Sequence, residues 1–117
     1  MMILYGIANC DTVKKARQWL KDGGFDYTFH DVRRDGLSLA LLNYFVANVD
    51  DWQVLVNRKS ATMRALTSEK IALSHTLENA LALLIEKPTI LKRPILDSGK
   101  SLIVGFDVGL YQKMLRL

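Results

Sequence analysis

The first 32 residues impose an order of elements that few architectures accommodate. Met2-Ile3-Leu4-Tyr5 is a short apolar run closed by Gly6, the pattern of a buried strand bounded by a turn. Polar Asn9-Cys10-Asp11-Thr12 follows, and Asp11 or Thr12 can accept a hydrogen bond from the free amides of a helix's first turn. Val13, Ala16 and Leu20 give that helix one apolar face. Gly23-Gly24 ends it, because glycine takes the left-handed conformation that a helix C-terminus often needs. Phe25 to Val32 reads as a second strand, with Tyr27 and Phe29 on one side. A strand, a crossover helix and another strand favour a parallel pair.

The middle of the chain is helical in pattern. Leu41, Leu42, Phe45, Val46 and Val49 keep one apolar stripe, and Leu77, Ala80, Leu81, Leu84 and Ile85 keep another. Asp51 to Lys70 has weaker periodicity and reads as short helices joined by loops. After Lys87-Pro88 come Thr89-Ile90-Leu91, Pro94-Ile95-Leu96, the turn signal Asp97-Ser98-Gly99-Lys100 and Leu102-Ile103-Val104, an approach segment and an antiparallel hairpin. Asp107 can cap a last helix that runs through Leu117 and carries Val108, Leu110, Tyr111, Met114 and Leu115. The order β-α-β, helices, β-β-α predicts an α/β, thioredoxin-like fold with a four-stranded mixed sheet. It places one domain over residues 1–117, with a helical insertion at about 37–87.

Composition narrows the function. Half of the 117 residues are hydrophobic, enough for one compact core. No run approaches the roughly 18 apolar residues of a membrane span, and the N-terminus lacks a signal-peptide layout, so a cytoplasmic protein is expected. The net charge of +4 favours anionic partners, but its 16 basic residues are offset by 12 acidic ones spread along the chain. Direct nucleic-acid binding is therefore not expected, and neither a zinc-finger spacing nor a glycine-rich phosphate loop occurs.

The single cysteine can close no internal disulfide and can build no cysteine-rich metal site, so Cys10 is either an inert buried thiol or a reactive one. Its position argues for reactivity. A sulfur just ahead of a helix meets unpaired amide N–H groups and the positive end of the helix dipole, and both favour the thiolate. Lys14 and Lys15 add positive charge in the first turns, whereas Asp11 opposes ionisation. The cysteine also falls at the C-terminal edge of a predicted strand, where α/β folds hold ligands.

Tyr5-Gly6-Ile7, Asn9-Cys10-Asp11-Thr12-Val13-Lys14-Lys15-Ala16 and Lys92-Arg93-Pro94-Ile95-Leu96 together resemble the arsenate-reductase-like (ArsC/Spx) family of the thioredoxin superfamily, and most closely its YffB-type members. The resemblance covers essentially the whole chain. It implies that Cys10 attacks the substrate, that Arg93 holds an anion beside it, and that Pro94 follows a cis peptide bond. It further implies that Asn9, Thr12, Lys14, Arg58 and Pro94 line the substrate site, with no metal. Arg58 matches one of two further arginines of the arsenate reductases, with Arg64 as a substitute. The second falls near Gly105, where no cation stands. That departure favours a thiol substrate such as a glutathione adduct, with weak arsenate reduction as an alternative, because a multiply charged oxyanion needs several fixed donors.

Thr12 and Val13 stand where a CxxC motif would end, so dithiol exchange within the chain is excluded. The mixed disulfide on Cys10 must be resolved by an outside thiol. Glutathione as co-substrate or a glutaredoxin-like thiol donor is expected, with no bound cofactor and a monomeric protein. The Spx branch implies a different partner, RNA polymerase, and no catalysis. His30 and His75 are read as structural or surface residues, Trp19 and Trp52 as packing residues, and Asp31, Arg33, Arg34 and Asp35 as a solvated strand-to-helix connection.

Overall fold

A computed structural model describes residues 1–115. Two compact units emerge: Met1–Val32 together with the chain from Arg93 onward, and Arg33–Lys92.

The first unit holds the sheet. Strands β1 (Ile3–Gly6), β2 (Thr28–Asp31), β3 (Ile95–Asp97) and β4 (Leu102–Val104) are ordered β2-β1-β3-β4, with β1 and β2 parallel and the other pairs antiparallel. This is the thioredoxin-like mixed sheet that the order of elements predicts. Helix α1 (Asp11–Asp22) makes the crossover and buries Val13, Ala16 and Leu20. The core joins Leu4, Ala16, Leu20, Leu96 and Tyr111, rimmed by Trp19, Phe25, Tyr27, Phe29 and Phe106 among others.

Several boundaries differ from expectation. Strand β2 starts at Thr28 rather than Phe25, because Phe25 belongs to the close of α1. Its N–H donates to the Leu20 carbonyl across left-handed Gly24, and its ring stacks on Trp19 at 5.9 Å. Asp107 caps the last helix, α6 (Val108–Leu115), by accepting from the Leu110 N–H at 2.9 Å. Of its expected apolar stripe only Tyr111 is fully buried, while Val108 and Leu110 are exposed on its outer turns. The expected end at Leu117 lies outside the described residues.

The second unit is helical: α2 (Leu39–Ala47), α3 (Ala61–Arg64), α4 (Ser68–Leu73) and α5 (Leu77–Glu86), with 3-10 turns at Trp52–Leu55 and Pro88–Ile90. Helix α2 packs on α5, and both α5 and α3 meet the Pro88–Ile90 turn. Ser38, Ser60 and Thr67 each cap a helix by accepting from the third amide beyond. In α5, Leu83 is buried while Leu77 and Ile85, at the end and flank of the expected stripe, are exposed.

One contact fixes how closely α1 lies on β1. A Cβ at Gly6 would stand 2.8 and 2.9 Å from the two γ carbons of Val13, which is fully buried and β-branched. The valine cannot swing aside. Gly6→Ala is expected to destabilise the fold by about 1–3 kcal/mol, the usual result of overpacking a tight core. Urea denaturation of the two proteins measures this.

Candidate active site at the mouth of the first helix

The chain leaves β1 at Gly6 and turns into α1 within four residues. The Cys10 N–H donates to the Ile7 carbonyl at 3.3 Å, and the Cys10 carbonyl accepts the first helical bond from the Lys14 N–H at 2.9 Å. Cys10 is thus the N-cap itself, extended at φ −104° and ψ 126°, where Asp11 or Thr12 was expected to cap. The aspartate and threonine lie one residue too late: they are the first two helical residues, and their amides are among the groups needing a partner. Asn9 sits exposed in the turn.

The half-buried sulfur makes no conventional capping hydrogen bond. The thiol is nevertheless held below the usual thiol range. Partial burial, the largest single influence, opposes ionisation, but the Val13 N–H, the Arg93 guanidinium and the Thr12 N–H together outweigh it. Arg93 acts twice, as hydrogen-bond donor to the sulfur and as a positive charge beside it. Asp11, Lys14 and Lys15 are not among the groups that move the thiol. All three are exposed, and water screens charges so placed.

Arg93 arrives from the far side of the sequence on the segment leading into β3. The Arg93–Pro94 peptide bond is cis, and buried Pro94 accepts at its carbonyl from the Gly105 N–H at 2.7 Å. Gly105 has φ 91°, a left-handed conformation that an arginine would hold only with strain. A second oxyanion-binding arginine is therefore disfavoured there by the backbone itself.

Arg58 belongs to the second unit, where its two terminal guanidinium nitrogens donate to the Ser74 hydroxyl at 2.9 Å and the Ser74 carbonyl at 3.1 Å. Sequence reasoning missed Asp31. Rather than lying in a solvated connection, it is buried at the end of β2, and its carboxylate accepts from the Ala8 N–H at 3.3 Å. It thereby ties down the turn that carries Cys10. The signal available was position alone, an acidic residue at the C-terminal end of a strand parallel to β1.

A lone, ionisation-prone cysteine at the helix mouth of a thioredoxin-like sheet, joined by the arginine of a cis Arg-Pro step, defines a one-thiol branch of that fold. Among the described residues no three His, Cys, Asp or Glu side chains converge as a metal site, and no helix is long and apolar enough to cross a membrane. The chain belongs to the ArsC family, whose model matches residues 5–114. It is 47% identical over 113 residues to an uncharacterised protein of Haemophilus influenzae, covering 96% of both chains. Of solved structures, it is similar to the YFFB protein, with 35% identity, a TM-score of 0.90 and 97% of each chain covered. It is also similar to an arsenate reductase (ArsC) related protein from Brucella melitensis, with 40% identity and a TM-score of 0.75, covering 99% of this chain and 95% of that one. The global transcriptional regulator Spx 2 of Bacillus anthracis is 29% identical over 108 residues, 92% of this chain and 81% of that protein.

Proposed function

We propose that this chain is a glutathione-dependent thiol reductase of the cytoplasm in which Cys10 is the nucleophile. The observation that carries the reading is the placement of Cys10 at the N-cap of α1 beside the Arg93 guanidinium, an arrangement that favours the thiolate, in a sequence with no second cysteine. The Cys10 thiolate attacks the glutathione sulfur of a glutathionylated thiol. The old disulfide breaks, the substrate leaves as a thiolate with the electron pair, and glutathione remains joined to Cys10. A second glutathione thiolate then attacks that glutathione sulfur, giving oxidised glutathione and regenerating the Cys10 thiolate. Arg93 and Lys14 offer cations to the carboxylates of the bound adduct, and Asn9, Thr12 and Pro94 border it.

The test is turnover of the mixed disulfide between glutathione and 2-mercaptoethanol, coupled to glutathione reductase and NADPH. We expect NADPH consumption that saturates with the mixed disulfide and disappears in Cys10→Ser. Consumption equal to the protein-free control would overturn the reading. A second reading, a non-catalytic regulator that binds RNA polymerase, draws support from the similarity to the transcriptional regulator Spx 2. Recovery of polymerase subunits by both the native chain and Cys10→Ser, without turnover, would favour it.

A further inference from the structure

Helix α1 carries a second feature that leads away from Cys10. Residues four, seven and eleven positions after the cysteine fall on one face of a helix, and here they are Lys14, Arg17 and Lys21. The spacing forms a cationic stripe along α1, the helix whose N-cap is Cys10. Helical neighbours of like charge at three and four residues destabilise a helix by about 0.2–0.5 kcal/mol each. A surface helix ordinarily relieves this with interleaved acids. Among the described residues, none of Lys14, Lys15, Arg17 and Lys21 has a carboxylate at ion-pair distance. Asp22, in the last turn of the helix, accepts instead from Gln18 at 2.7 Å.

The central cation is also pre-positioned. Arg17 Nε donates to the Tyr27 hydroxyl at 3.0 Å, and its guanidinium carbon lies 4.0 Å from the centre of the Phe29 ring. Its two terminal nitrogens have no hydrogen-bond partner among the described residues. They form an aligned fork of the kind that grips a carboxylate with two bonds. Two open depressions of about 460 and 320 Å³ meet at Arg17, Lys21 and Tyr27, the second extending to Lys14 and Gln18 and the first to Asp26.

We propose that the Lys14-Arg17-Lys21 stripe is a docking surface for an extended acidic polypeptide segment, leading it toward Cys10. A rise of ~1.5 Å per residue puts Lys21 about 16 Å along the helix from Cys10, a span that about five residues of extended chain cover. Such a polypeptide would carry carboxylates up to about five residues from the sulfur presented to Cys10. A nucleic acid fits less well, because the face of Phe29 is already covered by Arg17 and is closed to a stacking base. The direction of docking rests on Cys10 being the reacting group, whereas the binding does not.

The test is fluorescence anisotropy at low ionic strength in the Cys10→Ser background, with a labelled peptide holding a run of glutamates and a control holding glutamines. The glutamate probe should bind more tightly than the control and release as salt is raised. Lys21 is exposed, so Lys21→Glu should leave the fold intact by circular dichroism and weaken the glutamate probe by about fivefold, while Lys21→Arg should not. Equal binding of the two peptides, or binding unmoved by Lys21→Glu, would sink the docking surface. So would an oligouridine probe that binds more tightly than the glutamate peptide. Because no thiol takes part, failure here leaves the reading of Cys10 standing, and failed turnover of the glutathione disulfide leaves this surface standing.

Discussion

Cys10→Ser should lose all disulfide exchange and, at a pH low enough to keep the native thiol protonated, gain stability. The loss follows from composition, since no other sulfhydryl exists to substitute and a serine hydroxyl stays protonated near neutrality. The gain follows from the cap. Cys10 occupies an N-cap with extended backbone and no side-chain capping bond, whereas the serine N-caps Ser38 and Ser60, also in the extended region, accept from Leu41 and Met63. A serine at position 10 can accept from the Val13 N–H in the same way. Serine in place of a residue that caps poorly stabilises by about 0.5–2 kcal/mol, a few degrees in melting temperature for a domain of this size. Cys10→Ala removes the thiol without supplying an acceptor and should show no such gain. Thermal melts followed by circular dichroism distinguish the three proteins. If serine stabilises no more than alanine, the first-turn amides already have partners and are not what holds the thiolate. The neutral cysteine thus caps its helix poorly, and the amides it fails to satisfy as a thiol are the ones that favour its charged form.

Much of this arrangement was legible in the residues, and what was not has definite physical causes. The β-α-β start followed from the apolar run before Gly6, the spacing of Val13, Ala16 and Leu20, and the paired glycines, because each of those signals is local. Cys10 and Arg93 were legible in another way: their neighbours Asn9-Cys10-Asp11-Thr12 and Lys92-Arg93-Pro94 resemble a family pattern. Charge near the thiol does not follow sequence proximity. Sequence proximity put Lys14, Lys15 and Asp11 next to the sulfur, but exposed groups are screened, and the influential groups are backbone amides and an arginine more than eighty residues away. Asp31 was hidden because its burial depends on how β2 sits beside β1, a tertiary fact with no periodic signature. The exposed ends of the α5 and α6 stripes have the same origin, since periodicity marks a face and not how far its covering extends.

Arg93→Gln should shift the pH dependence of Cys10 without removing the nucleophile. Arg93 both donates to the sulfur and stands beside it as a positive charge, so glutamine leaves burial opposed only by the Val13 and Thr12 amides. The midpoint of iodoacetamide alkylation against pH is expected to rise. At neutral pH the rate should fall severalfold, and above both midpoints, where either protein is fully thiolate, the two rates should converge. Arg93→Lys keeps the charge but not the planar fork, and should fall between them. Stability carries the same sign. A thiol whose folded pKa lies below its unfolded value of about 8.5 contributes stability that is complete above that value. The contribution is lost as pH falls through the folded pKa. Native protein should therefore gain stability to urea over the window between the two pKa values, and Arg93→Gln should gain less over the same window. Both measurements read one quantity, the preference of the folded site for the charged sulfur. A variant whose alkylation midpoint stays in place would show that the arginine does not stabilise the thiolate, and that the helix mouth alone sets the reactivity of Cys10.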